Sequence, residues 1–242
     1  DGTPLGTSEA LECRIDSISQ SWSLFAGADP GRTAQALAAA ERELVQDNLA
    51  RLLWPPFDKT PLDPGYIRSY PPGVRENGGQ YSHAATWLGL AHVQAGDGDA
   101  ARRIFAMLNP LERAADAEGA ARYRGEPYAL AGDILSGPEF VGRAGWTWYT
   151  GASSWTWRLG VEGILGIRLA EGGVTIDPCL PKGWKGYAAT LRRADGAIRI
   201  EVRDPEGLGR GVTRIEAGGL LAEGPIAFPT DGSTLEVVVR MG

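Results

Sequence analysis

The feature that most restricts how this chain folds is a change in hydrophobic period near residue 168. Upstream, apolar residues recur at helical spacing; downstream they alternate one by one with polar residues. In AIRIEVR, Ile198, Ile200 and Val202 fall on one side and Arg199, Glu201 and Arg203 on the other, the period of a half-buried strand. VTIDPCLPKGW, ATLRRADGAIRIEVRDP, GVTRIEAGG and STLEVVVRM share the pattern and are bounded by Gly, Pro and Asp. They predict about five short antiparallel strands, part of a sandwich.

The upstream region reads as helices at 19–27, 31–54, 82–96, 100–110, 126–135 and 151–167. The second is rich in Ala, Leu, Glu and Arg, which are strong helix formers. The fourth stops at Pro110, and the fifth has its apolar face broken by glycine. A proline-rich excursion, PPFDKTPLDPGYIRSYPPG, separates the second helix from the third. A charged stretch follows residue 110. The reading is an α+β chain: an antiparallel array of helices over 1–167, then an antiparallel β-domain over 168–242.

With 242 residues, 43% hydrophobic and 22% charged, there is material for one large domain or two modest ones. A net charge of −6 argues against nucleic acid or an anionic membrane as partner. No run approaches the ~20 apolar residues of a membrane span, and no signal-peptide pattern opens the chain. Cys13 and Cys179 lie far apart, and His83 and His92 are the only histidines. Neither a disulfide framework nor a Cys- or His-rich metal site is therefore expected. Eight tryptophans are many for this length; they suit sugar rings and plain core packing alike. Asp1 stands where a methionine would start a chain, so a piece of something longer is expected.

Two loops carry the polar chemistry. In PPGVRENGGQYSH, prolines and glycines shape a turn that holds Arg75, Glu76, Asn77, Gln80 and His83. The readings are an ordered turn feeding a helix near Ser82, or a polar ligand pocket. In GRAGWTWYTGASSWTW, Thr150, Gly151, Ala152 and Ser153 sit where an irregular segment enters a helix. Exposed N–H groups there attract anions, phosphate being the obvious one with His83 as a second contact. The alternative is simple capping by Thr150 or Ser153, which leaves the crowd of Trp146, Trp148, Trp155 and Trp157 less well explained. His92, amid apolar residues, reads as structural. Among the carboxylates Glu76, Glu126, Asp133 and Glu162, none sits in a window recognisable as a general acid. An inverting hydrolase needs two carboxyl groups and a phosphorolytic enzyme only one, since phosphate itself attacks the sugar.

PPGVRENGGQYSH, EPYALAGDI, GWTWYTGASSWTWRLGVEGILGIR and VTIDPCLPKGW occur in that order. Together they resemble the C-terminal part of inverting glycoside phosphorylases related to cellobiose phosphorylase. The likeness is greatest to the C-terminal region of cyclic β-1,2-glucan synthases, as in LLWPPFDKTPLDPGYIRSYPPGVRENGGQYSHAATW and the opening DGTPLGTSEALECRIDSISQSW. The resemblance covers essentially the whole chain. It implies half of an (α/α)6 barrel followed by a small β-domain, and reversible phosphorolysis of β-glucosidic bonds or control of glucan chain length. It implies a cytoplasmic setting, or the cytoplasmic side of an inner membrane within a longer synthase. It places His83, Thr150 and Gly151 at phosphate-binding positions and Arg75 at the acceptor-sugar subsite. Glu76 lies beside Arg75 in the same loop, and Tyr70 falls near a further acceptor-side position.

Phosphate is then a co-substrate, no cofactor is implied, and the partners are a β-glucan or β-glucoside and the complementary barrel half. The family's acidic aspartate and donor-site Trp and Arg lie upstream and have no counterpart in 1–242, so the isolated chain is expected to be inactive. Ala131-Gly132 stand where cellobiose phosphorylases place a donor-contacting glutamine, so cellobiose specificity does not carry over. The alternative is a non-catalytic carbohydrate-binding or structural segment; a hydrolase using water fits less well, because His83 and Thr150-Gly151 favour a bound anion.

Overall fold

The computed structural model describes every residue except Asp1, Thr3, Asp47, Pro61, Leu62 and Tyr149. The chain is α+β and divides into two compact units, Asp1–Gln94 with Arg103–Thr156, and Ala95–Arg102 with Trp157–Gly242.

In the first unit, helix starts follow the acidic residues that precede them. Asp16 accepts from the N–H groups of Ile18 and Ser19 at 2.8 and 3.2 Å and opens Ser17–Phe25. Asp29, followed by Pro30 at the first helical position, accepts from Arg32 N–H and opens Pro30–Glu43. That helix ends eleven residues short of the predicted 54. Leu49, Ala50 and Leu53 are buried in short strands instead, the chain having turned at Asn48 with φ +57. Ser82–Ala95 and Gly98–Leu108 lie close to their expected places. The charged stretch after 110 holds two helices that the sequence pattern did not disclose, Pro110–Arg113 and Ala117–Tyr123, capped by Asn109 and Asp116.

One predicted helix is absent. Residues 126–135 form turns and then a two-residue strand, Asp133–Ile134, paired antiparallel with Gln80–Tyr81. Tertiary bonds override the Ala- and Leu-rich composition: Gly132 N–H donates to Trp146 O, and Gly132 O accepts from Ser82 N–H. Ile134 packs in a small core with Leu49, Tyr123, Ala131 and Ala144. Among the described residues, six two-residue strands lie within 1–167, where the helical pattern predicts almost none.

The last helix also departs from its expected form. It is α over Ala152–Arg158 and π over Leu159–Ile164, where Gly160 and Gly163 ease the wider turn. Gly166, at φ +68, ends it.

In the second unit, Ile167–Ala170 and Gly173–Ile176 form a hairpin. The remaining strands make one five-stranded sheet, in the order Leu220–Leu221, Val212–Ala217, Thr234–Met241, Gly196–Arg203, Gly186–Arg193. The sheet is not wholly antiparallel as predicted: Gly196–Arg203 and Thr234–Met241 run parallel, with Ile198 opposite Leu235 and Val202 opposite Val239. That pairing puts Ile198, Ile200, Val202, Val237 and Val239 in one core, with Val174, Ile176 and Leu180. Strand alternation fixes which face is buried but not which edge a late strand joins. Among the described residues, 175–240 contains no helix, and no helix is long and apolar enough to cross a membrane.

Candidate functional site

The loop at 71–83 is held by two amides that the sequence offered as polar candidates. Asn77, fully buried, accepts from Phe57 N–H at 2.7 Å and donates to Phe57 O and Tyr70 O. Gln80, equally buried, accepts from Ala50 N–H and donates to Met107 O. Their hydrogen bonds go to backbone, so both are staples of the loop. Gly79 permits the close return of the chain: a Cβ there would lie 2.9 Å from both the N and the O of Arg75.

Arg75 itself adopts φ +48, unusual for a residue with a side chain. Its backbone N–H donates to Asp133 Oδ2 at 3.3 Å, and its guanidinium lies over the Tyr70 ring at 5.4 Å. Arg75 Nε stands 3.6 Å from Glu76 Oε2. These two atoms are sealed from solvent and neither has a hydrogen-bond partner. The first cluster is therefore Tyr70, Arg75 and Glu76 set above Asp133.

Asp133 was singled out in the sequence only as one carboxylate among four, and it is the hub beneath that cluster. It is buried, accepts from Trp146 N–H at 3.2 Å through Oδ1, and from Arg75 N–H through Oδ2. Burial pushes its pKa up, against the lowering effect of those N–H donors and of Arg75. Gly145 makes room for it, since a Cβ at that position would overlap the carboxyl group. A glycine one residue before a tryptophan is the only sequence signal that could have marked this packing.

The second cluster gathers His83, Thr150 and Gly151. A Cβ on Gly151 would lie 3.2 Å from His83 Cε1 and 3.8 Å from Nε2, so the imidazole packs directly against the glycine. On its other sides His83 meets the rings of Trp87 and Trp155, at centroid distances of 5.3 and 6.4 Å. Trp87 and Trp155 meet edge to face at 5.9 Å. This burial draws the His83 pKa below its ordinary value. Thr150 Oγ1 accepts from Ala152 N–H at 3.1 Å, so capping does occur. The hydroxyl proton is left over for a second partner. Ser153 and Ser154 donate back to Thr150 O and Gly151 O. Gly132 lies against Thr150, 3.6 Å from a Cβ at Gly132 to Thr150 Cβ, and the two clusters thus share the 132–133 backbone.

The four tryptophans expected together are divided. Trp155 packs on His83, whereas Trp146, Trp148 and Trp157 are exposed. Glu126 accepts from the Trp148 indole N–H at 3.1 Å. Glu162 pairs with Arg158 one helical turn away, and buried His92 has Nε2 2.9 Å from Glu41 Oε1. Among the described residues no cluster of three or more His, Cys, Asp and Glu could hold a metal ion.

Comparison with known proteins bears on this geometry. Residues 1–166 match the model of the glycosyl hydrolase 94 superfamily catalytic domain. Over 205 residues the chain is 50% identical to the cyclic beta-(1,2)-glucan synthase NdvB of Rhizobium meliloti (strain 1021), covering 84% of this chain and 7% of that protein. It is 30% identical over 244 residues to the N,N'-diacetylchitobiose phosphorylase of Vibrio proteolyticus, covering 100% of this chain and 30% of the relative. It is 27% identical to the solabiose phosphorylase of Paenibacillus borealis, covering 99% and 31%. The chain thus spans less than a third of the length of these curated relatives. Both clusters fall within the matched region, and the chain belongs to the glycosyl hydrolase 94 superfamily.

Proposed function

We propose that this chain supplies the phosphate-binding and acceptor-sugar side of a site that acts on β-glucosidic bonds, by phosphorolysis or in setting glucan chain length. The observation that carries the reading is the contact between the His83 imidazole and Gly151 beside Thr150. A phosphate seated there meets the imidazole, the Thr150 hydroxyl and backbone N–H groups entering the helix. The absence of a side chain at Gly151 lets the anion approach the backbone. Charge-assisted bonds of this kind are worth roughly 1.5–3 kcal/mol each when water is excluded.

Arg75 and Glu76 serve the acceptor sugar on this reading. Arg75 Nε and Glu76 Oε2 face each other as an ion pair at 3.6 Å, which holds the two side chains in one place while leaving them 38% and 20% exposed. Sugar hydroxyls both donate and accept, so one acceptor ring can meet the part-exposed outer ends of both side chains, while Tyr70 lines the same side. The named activities of the relatives, β-glucan synthesis and disaccharide phosphorolysis, agree with such a pair of subsites. The reading assigns no general acid to this chain. Residues 1–167 then form the C-terminal half of an (α/α)6 barrel, with 168–242 as an appended β-domain. The acid comes from the complementary half.

The test uses the longer protein that carries this segment. Phosphate-dependent release of a sugar 1-phosphate is expected, and His83→Ala should raise the phosphate KM steeply while leaving the fold intact. Sugar release that ignores phosphate would favour hydrolysis and overturn the assignment.

A further inference from the structure

We propose that Trp148, Tyr128 and Glu126 form a separate stacking platform for the glucose units of a β-glucan chain, outside the Arg75 and His83 clusters. The inference rests on the reading of the protein as glucan-active. Trp148 is 69% exposed and Tyr128 74%, yet neither ring is loose. They meet edge to face at 5.8 Å with an interplanar angle of 64°, forming a corner and not a single plate. The Trp148 indole N–H is fixed by Glu126 Oε1. The Trp148 backbone sits at φ +67, a conformation that a bulky side chain adopts only against a steric cost. The chain nearby is anchored in turn, since Thr147 bridges Ala131 and the Trp146 N–H is held by Asp133. Strain of this kind persists where surrounding contacts over-determine it, and here it presents an aromatic face to solvent.

The chemistry of the corner selects its occupant. Glu126 places a negative charge at the edge, which disfavours phosphate or an acidic peptide. Its carboxylate oxygens accept from neutral hydroxyls. A pyranose ring offers what both parts want: an apolar C–H face for the indole and hydroxyl donors at its rim. Two rings at an angle seat one sugar on Trp148 with its edge against Tyr128, and so prefer a chain that bends at each linkage over a flat ribbon. The platform is anchored on the same 131–133 backbone as the two clusters, but its rings face solvent, so it affects how glucan length is sensed more than how phosphate binds.

The experiment is a calorimetric titration of the protein with β-1,2-linked gluco-oligosaccharides, up to tens of millimolar, against four variants. Trp148→Gly removes the ring and suits the positive φ, so the loop keeps its course. Tyr128→Ala removes the second ring, Trp148→Phe keeps an aromatic face, and Trp157→Ala removes an exposed tryptophan elsewhere. Aromatic stacking on a ring of this size corresponds to about a tenfold change in affinity. We expect about tenfold weaker binding for Trp148→Gly and Tyr128→Ala, partial retention for Trp148→Phe and none lost in Trp157→Ala. The melting temperature of Trp148→Gly should stay level or rise. Saturable binding that Trp148→Gly leaves untouched would overturn the platform, as would no binding at the highest concentration. A sugar-independent dimer abolished by Trp148→Gly would also overturn it, showing a protein contact instead. The His83 response to phosphate is read separately, so failure of the platform and failure of the phosphate assignment are distinguishable.

Discussion

Replacing Asp133 with asparagine probes the hub on which both clusters rest. The wild-type carboxylate accepts two backbone N–H groups, from Trp146 at 3.2 Å and Arg75 at 3.3 Å, with the residue 3% exposed. Asparagine keeps one acceptor oxygen and turns an NH2 toward the other donor. One charge-assisted bond worth roughly 1.5–3 kcal/mol is lost. The long donor–acceptor distances and the relief of burying a charge reduce that, so about 1–2 kcal/mol of destabilisation is expected. Asp133→Ala strands both donors and should cost more, about 2–4 kcal/mol.

The pH dependence has a definite sign. Burial raises the Asp133 pKa above the ordinary 3.8, so the folded chain holds this proton to higher pH than the unfolded one. Its contribution is fully present below the unfolded value and declines as pH rises through the folded one. The asparagine penalty should therefore be larger near about pH 4 than near about pH 7, in matched urea titrations of both proteins. A penalty that grows toward neutral pH, or an alanine variant milder than asparagine, would refute the reasoning.

Gly145→Ala should destabilise by about 1–3 kcal/mol because the new methyl overlaps the Asp133 carboxyl group, and a double-mutant cycle with Asp133→Ala should recover most of that loss. Asp204, fully buried, accepts from the N–H groups of Gly207, Leu208 and Gly209; Asp204→Ala should cost about 2–4 kcal/mol in urea unfolding and leave phosphate binding untouched. His83 should titrate below 6.5 by NMR, since burial disfavours its charged form. Its stabilising contribution is present above 6.5 and lost as pH falls through that value to the folded pKa, a slope that His83→Gln should remove. Gly151→Ala forces the imidazole to shift by a few tenths of an ångström and should weaken phosphate binding about tenfold without lowering the melting temperature.

The legible parts of the fold were those set by local chemistry. Asp16 and Asp29 before helical stretches announce caps, and the Ile198–Ile200–Val202 alternation announces a buried strand face. What the sequence hid was decided by distant partners. Residues 126–135 have helical composition, yet Gly132 gives its backbone to Trp146 and Ser82 while Asp133–Ile134 pairs with Gln80–Tyr81. The parallel pairing of Gly196–Arg203 with Thr234–Met241 joins strands thirty residues apart in the chain, a choice no local pattern encodes. In the candidate site, the loop residues stood out by type, but their roles did not. Asn77 and Gln80 look like ligands and are staples, while Asp133 and Gly145 look incidental and form the support.

With only two histidines in the chain, one titration tests the central claim: imidazole 15N NMR of this protein as inorganic phosphate is added. The phosphate assignment predicts a saturable shift of the His83 nitrogens whose midpoint rises about tenfold in Gly151→Ala, with His92, buried beside Glu41, unmoved. A His83 signal that stays fixed up to tens of millimolar phosphate, or moves only in step with His92, would contradict it.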